Sequence, residues 1–145
     1  MASDDIYIYG VVKDYRSGER IPDARVEVFA DGSRLTTLIS DSVGRYGMQF
    51  PFDRVYLLRY SAQGKVAKSV EVDARHVPVE QRNGGLGMNV DITLLHEMPG
   101  VDLSFMEHPF GKAAWSAKDT VLSWDMGWTE EQRGRLAKVL REYGQ

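Results

Sequence analysis

The sequence predicts an all-β fold, a seven-stranded β-sandwich followed by a short C-terminal α-helix. Three observations carry that reading. Between Ile6 and Leu95, about seven short segments alternate apolar and polar residues, as half-buried strands do. Turn residues separate them, notably Asp31-Gly32, Gln63-Gly64 and Asn83-Gly84-Gly85. Only one stretch, near the C-terminus, has helical spacing.

Residues 6–13 are rich in β-branched and aromatic side chains and form the first strand. Residues 14–22 form a turn in which Gly18 is free to take positive φ and Pro22 fixes its own. Ala24, Val26 and Val28 then alternate with Arg25, Glu27 and Phe29, giving a strand with one apolar face. Asp31-Gly32 joins it to a strand at 35–39, and strands at 45–50, 55–62 and 65–73 follow. Residues 74–87 read as an exposed, mobile loop before the last strand at 88–95. Pro99-Gly100 ends that strand, and residues 101–128 show no clean period. A helix is predicted at about 129–143. Thr129 and Gln132 fit a capping box, and Leu136, Val139, Leu140 and Tyr143 make one apolar stripe. The chain thus divides into a sandwich, 1–97, and a tryptophan-rich extension, 98–145, packed on it.

A chain of 145 residues suits one domain, and without cysteine it has neither disulfides nor a thiolate metal site. The net charge of −3 is evenly spread, with 12 Lys/Arg against 14 Asp/Glu in 1–97 and 6 against 7 in 98–145. Neither part has the basic excess that phosphate neutralisation requires, which argues against nucleic acid as a partner. No apolar run approaches a transmembrane segment in length. The first ten residues lack the basic-then-apolar layout of a signal peptide.

The residues from Gly10 to Asp73 resemble a known family. The matching elements are Gly10-Val-Val-Lys-Asp14, Gly18-Glu-Arg-Ile-Pro-Asp-Ala24, Ser40-Asp41 with Gly44-Arg-Tyr46, Phe50-Pro51 and Ala62-Gln-Gly64. Together they resemble the carboxypeptidase regulatory-like domain, an Ig-like sandwich of the transthyretin (prealbumin) type. In physical terms, Asp41 can cap its turn, Gly44 supplies a left-handed residue and Tyr46 returns an aromatic ring to the core. The resemblance implies a non-catalytic accessory module of an exported bacterial protein. Its location would be periplasmic, outer-membrane-associated or extracellular, with a leader outside this sequence; a cytoplasmic location stays open.

The sequence assigns no catalytic, cofactor-binding or metal-binding residue, and no cofactor is implied. His76, His96 and His108 lie in separate segments without metal-ligand spacing. Lys13, Asn89 and Glu71 have the residue types of an isopeptide-forming sandwich but no surrounding pattern. The transthyretin-like hydrolases resemble one another in a C-terminal Tyr-Arg-Gly-Ser, whereas here the end is Arg141-Glu-Tyr-Gly-Gln145. The most suggestive group is Trp115, Trp124 and Trp128, with Asp125 between two of them. These residues form a possible ligand or partner surface, or else bury the extension against the sandwich. The functional expectation is a non-enzymatic binding or assembly module of the cell envelope, acting through contacts with another envelope protein. The alternative is a carbohydrate-binding module that uses the tryptophans as stacking platforms; a transthyretin-like hydrolase comes third.

Overall fold

The computed structural model describes residues 5–143, so the outermost ends of the two predicted units, 1–4 and 144–145, lie outside the described residues. Ten strands and one long helix follow in order: β1 (Asp5–Asp14), β2 (Arg25–Ala30), β3 (Ser33–Ile39), β4 (Arg45–Pro51), β5 (Val55–Ser61), β6 (Lys68–Asp73), β7 (Leu86–Asn89), β8 (Ile92–Leu94), β9 (Gly111–Ser116), β10 (Val121–Trp124) and α1 (Met126–Tyr143). They build two sheets. The smaller runs β4-β1-β7, with β8 also paired to β1, and the larger runs β10-β9-β6-β5-β2-β3. Neighbours are antiparallel except for β1 with β7, β1 with β8, and β6 with β9.

The core follows from strand alternation. Ile6, Ile8 and Val12 of β1 and Tyr46, Met48 and Phe50 of β4 face Val26 and Val28 of β2, Tyr56, Leu58 and Tyr60 of β5, and Val70 and Val72 of β6 in one buried cluster. A polar link crosses this core. The Tyr46 hydroxyl donates to the Val90 carbonyl at 2.6 Å and lies 2.6 Å from the Tyr60 hydroxyl. Burial raises the pKa of both phenols, so they stay neutral hydrogen-bonding groups. A second, smaller core of Leu95, Met106, Phe110 and Leu136 docks α1 through the 98–110 segment.

The turn residues act as their chemistry requires. The Asp41 carboxylate accepts from the Val43 and Arg45 amides at 3.0 and 2.9 Å, Gly44 has φ of 75°, and Tyr46 is buried. Gly10 fills a tighter role, since a Cβ there would lie 2.1 Å from the Val90 carbonyl oxygen. At this point β1 leaves β7 for β8, and the Asp91 side chain accepts the Val11 amide at 3.0 Å.

Several expectations are corrected. The predicted last strand is broken at Val90–Asp91 into β7 and β8, and residues 101–128 contribute β9 and β10, so ten strands replace seven. The two added strands have six and four residues and contain small side chains, too little for a period to show. The helix begins at Met126, because Asp125 caps it by accepting the Trp128 amide at 3.0 Å. Thr129 bonds back to the Asp125 carbonyl at 2.9 Å, and Gln132 is buried, so the predicted capping box does not form. Leu136 carries the apolar stripe inward, while Tyr143 is exposed. Residues 74–87 are anchored by buried Ala74 and Val77, and by Arg82, which grips Asp53 with two hydrogen bonds of 2.8 and 2.6 Å.

At the end of β1, the Asp14 carboxylate accepts from the Ser17 and Arg16 amides at 2.7 and 3.1 Å and pairs with Lys65; His96 Nε2 lies 3.5 Å away. The Lys65 bond is the largest cause holding this carboxyl well below its ordinary 3.8. The stability it adds is present above that ordinary value and is lost as pH falls toward the lower folded one. Asp14→Asn should cost about 2 kcal/mol at neutral pH, less than the removal of one partner from a fully buried pair, since both side chains keep some solvent contact. Urea unfolding of both proteins at neutral and acid pH checks this, and the difference should shrink as pH drops below about 4.

Candidate functional site

A cleft of about 480 Å³ opens between one end of the two sheets and α1. Its apolar wall comes from Val70, Ile92, Phe110, Trp124 and Leu136, and its polar groups include Tyr15, Lys68, Asn89, Asp91 and Arg133. Each element delivers its part for a structural reason. The break at Val90–Asp91 carries residues 89–93 past the cleft, β9 brings Gly111 alongside β6, and the Asp125 cap aims the first turns of α1 over the opening. Gly111 lies under the Trp124 ring, and a Cβ there would sit 3.0 Å from it.

Lys68 is the chemically distinctive group. It shares the inward face of β6 with buried Val70 and Val72, a position that a period-2 pattern reserves for an apolar side chain. Its amine donates to the Thr93 carbonyl at 3.2 Å, on the opposite sheet, and lies 4.2 Å from the centre of the Phe110 ring. Among the described residues no carboxylate is within ion-pair distance of it. Burial first, and the charge of Arg133 second, bring its pKa down to about 8 from the ordinary 10.5. A desolvated amine beside a second cation can bind an anion while protonated and act as a nucleophile while neutral.

The structure distributes the sequence-predicted residues unevenly. Trp124 lines the cleft. Trp115 is half-buried against the main core, and Trp128 donates its indole N–H to the Pro109 carbonyl at 2.8 Å with Lys112 3.9 Å over its ring. Asp125 is occupied as the helix cap. Lys13 and Asn89 belong to the smaller sheet and Glu71 to the larger, where it faces Lys112 across the β6–β9 ladder. Among the described residues no group of three or more His, Cys, Asp or Glu is placed to hold a metal ion. Sequence reasoning missed Lys68, Phe110 and Arg133; the available signal was the lysine in phase with Val70 and Val72.

No protein-family model matches the chain, and no curated protein matches it significantly. Among solved structures, the chain is similar to the Bacillus anthracis TIE protein, with a TM-score of 0.51 and 12% identity over 63% of this chain and 17% of that one. It also resembles catechol 1,2-dioxygenase from Acinetobacter sp. ADP1, with a TM-score of 0.46 and 16% identity over 68% and 54% of the two chains. A third is the dioxygenase domain of a carbohydrate-binding fusion from Streptomyces sp. SirexAA-E, at 0.48 and 10% over 64% and 80%. The chain therefore spans about a sixth of the TIE protein and about half of the Acinetobacter enzyme. At such identities the likeness is one of fold alone.

The functional expectation is corrected. The non-enzymatic module, with its carbohydrate-binding alternative, treated the sandwich as a scaffold without chemistry of its own. A fold alone does not decide activity, and the expectation of a non-enzymatic module is not kept; the solved structures similar to the chain include catechol and hydroxyquinol 1,2-dioxygenases.

The lowered pKa of Lys68 has a measurable consequence. Between about 8 and 10.5 the unfolded chain binds more protons at this group, so its contribution to stability rises with pH across that window. Lys68→Met should remove this rise and stabilise the protein at neutral pH by about 1 kcal/mol or more. Urea midpoints measured from neutral to alkaline pH check both expectations.

Proposed function

We propose that the cleft binds a small, partly apolar molecule bearing a carboxylate or similar anion. The observation that carries this reading is Lys68, a cation held at an apolar cleft without a carboxylate partner among the described residues. Arg133 adds a second positive charge on the opposite wall, and Phe110 and Trp124 offer flat apolar surfaces for the ligand body. A buried ammonium without a counter-ion is costly, and an entering anion relieves that cost. The Asp41 turn supports kinship with carboxypeptidase regulatory-like domains, and with it an exported location. Among the described residues no helix is long and apolar enough to cross a membrane.

Titration with benzoate and octanoate, followed by Trp fluorescence and by amide chemical shifts, tests the reading. Binding should saturate, with shifts at Thr93, Gly111 and Thr129. Lys68→Met should weaken it by about tenfold or more, and Arg133→Met by less, since that side chain is largely exposed. Shifts scattered over the surface, or affinity unchanged in Lys68→Met, would overturn it.

A further inference from the structure

We infer that the Lys68 amine forms a Schiff base with small aldehydes or oxo acids that enter the cleft. This rests on the cleft being a ligand site, and it adds a substrate class: a carbonyl compound whose anionic group meets Arg133 while its carbonyl meets Lys68. The geometry provides three requirements of amine catalysis at once. The amine sits against an apolar wall, over the Phe110 ring, where it is poorly hydrated. Among the described residues its hydrogen bond runs to the Thr93 carbonyl, which accepts from a neutral amine as well as from an ammonium and leaves the nitrogen lone pair free. A neighbouring guanidinium on α1 disfavours the charged form.

The charged and titratable groups around Lys68 are Tyr15 from the β1–β2 turn, Asp91 from the β7–β8 break and Arg133 from α1. On the far side of β6, Arg59, Asp102 and Glu107 line an adjoining groove. None of the carboxylates among them pairs with the amine. With a pKa of about 8, about a quarter of Lys68 is neutral near pH 7.5, against about one in a thousand for an ordinary lysine.

The step balances without a redox partner. The nitrogen lone pair adds to the carbonyl carbon, and the carbonyl π pair moves to oxygen, which takes one of the amine protons. Nitrogen then forms the C=N bond as the oxygen leaves as water with the second proton. Protonation of the imine from solvent gives the electron-poor iminium that makes such adducts reactive.

The test uses the full chain with phenylpyruvate, an apolar oxo acid, and with benzaldehyde, each trapped by sodium cyanoborohydride and located by peptide mass mapping. Cyanoborohydride delivers hydride to the imine carbon and fixes the adduct. The expected result is labelling of Lys68 about tenfold or more faster than Lys13, Lys65, Lys112, Lys118 or Lys138, saturating with probe and half-maximal near pH 8. Lys68→Arg, checked for native circular dichroism, should lose that adduct and keep the slow background. Labelling spread evenly over the lysines overturns the Schiff-base inference. If octanoate still binds the cleft in that case, the site reading survives alone. Fast labelling of Lys68 that neither saturates nor is slowed by octanoate marks bulk reactivity and overturns both.

Discussion

Every pairing in the smaller sheet runs through β1. Its ten residues hold β4 along one edge and β7 then β8 along the other, so that sheet exists only while β1 stays extended and in register. Register is fixed by alternation, because a one-residue slip would turn Ile6, Ile8 and Val12 to solvent. The strand is also pinned at its end, where Asp14 ties the β1–β2 turn to Lys65 beyond β5. Gly10 permits the change of partner in mid-strand, since no side chain fits beneath the Val90 carbonyl. The Tyr46 hydroxyl then uses that same carbonyl to cross the core toward Tyr60.

The change of partner also makes room for a site. Continuous pairing of β1 with one strand would leave a flat edge at residues 89–93. The break instead carries residues 89–93 past the end of the sandwich where β6, β9 and α1 converge, while the Asn89 and Asp91 side chains bond back to β1. Lys68 stands where these surfaces meet, in a position suited to valine. Its placement weakens the packing and leaves a charge with little water or counter-charge around it. Sites commonly depart from local packing logic in this way, with the surrounding fold absorbing the loss.

The Ser40–Tyr46 turn was legible in the sequence because its geometry is set within seven residues: an acceptor, a left-handed glycine and an aromatic returning to the core. The first six strands were legible for the same local reason. What was not legible depends on distance along the chain. β9 joins the sheet by pairing Val70 with Gly111, and nothing in either local pattern announces that contact. The cleft collects residues 15, 68, 89–93, 110–111 and 124–137, and no spacing rule connects them. Asp125 looked like a ligand-facing acid between tryptophans, yet its side chain is held by the backbone of the helix that it starts. Lys68 carried a faint local signal, but a lysine on a strand is ordinarily solvated, and only the tertiary fold shows which face is dry.

The central place of β1 also orders events during synthesis. Among the described strands β1 is made before its partners, and its second edge is filled only once residues 86–94 exist, because Ile6 pairs with Phe50 on one side and with Leu86 on the other. The hairpins β2–β3 and β5–β6 close over short loops and form early, while the smaller sheet waits for contacts spanning most of the domain. At a translation rate of about 5–20 residues per second, the second edge of β1 stays open for several seconds after β4 has emerged. Through that interval the nascent chain displays an unpaired strand edge rich in isoleucine, valine and tyrosine, which makes translation the period in which this fold most needs shielding from its neighbours.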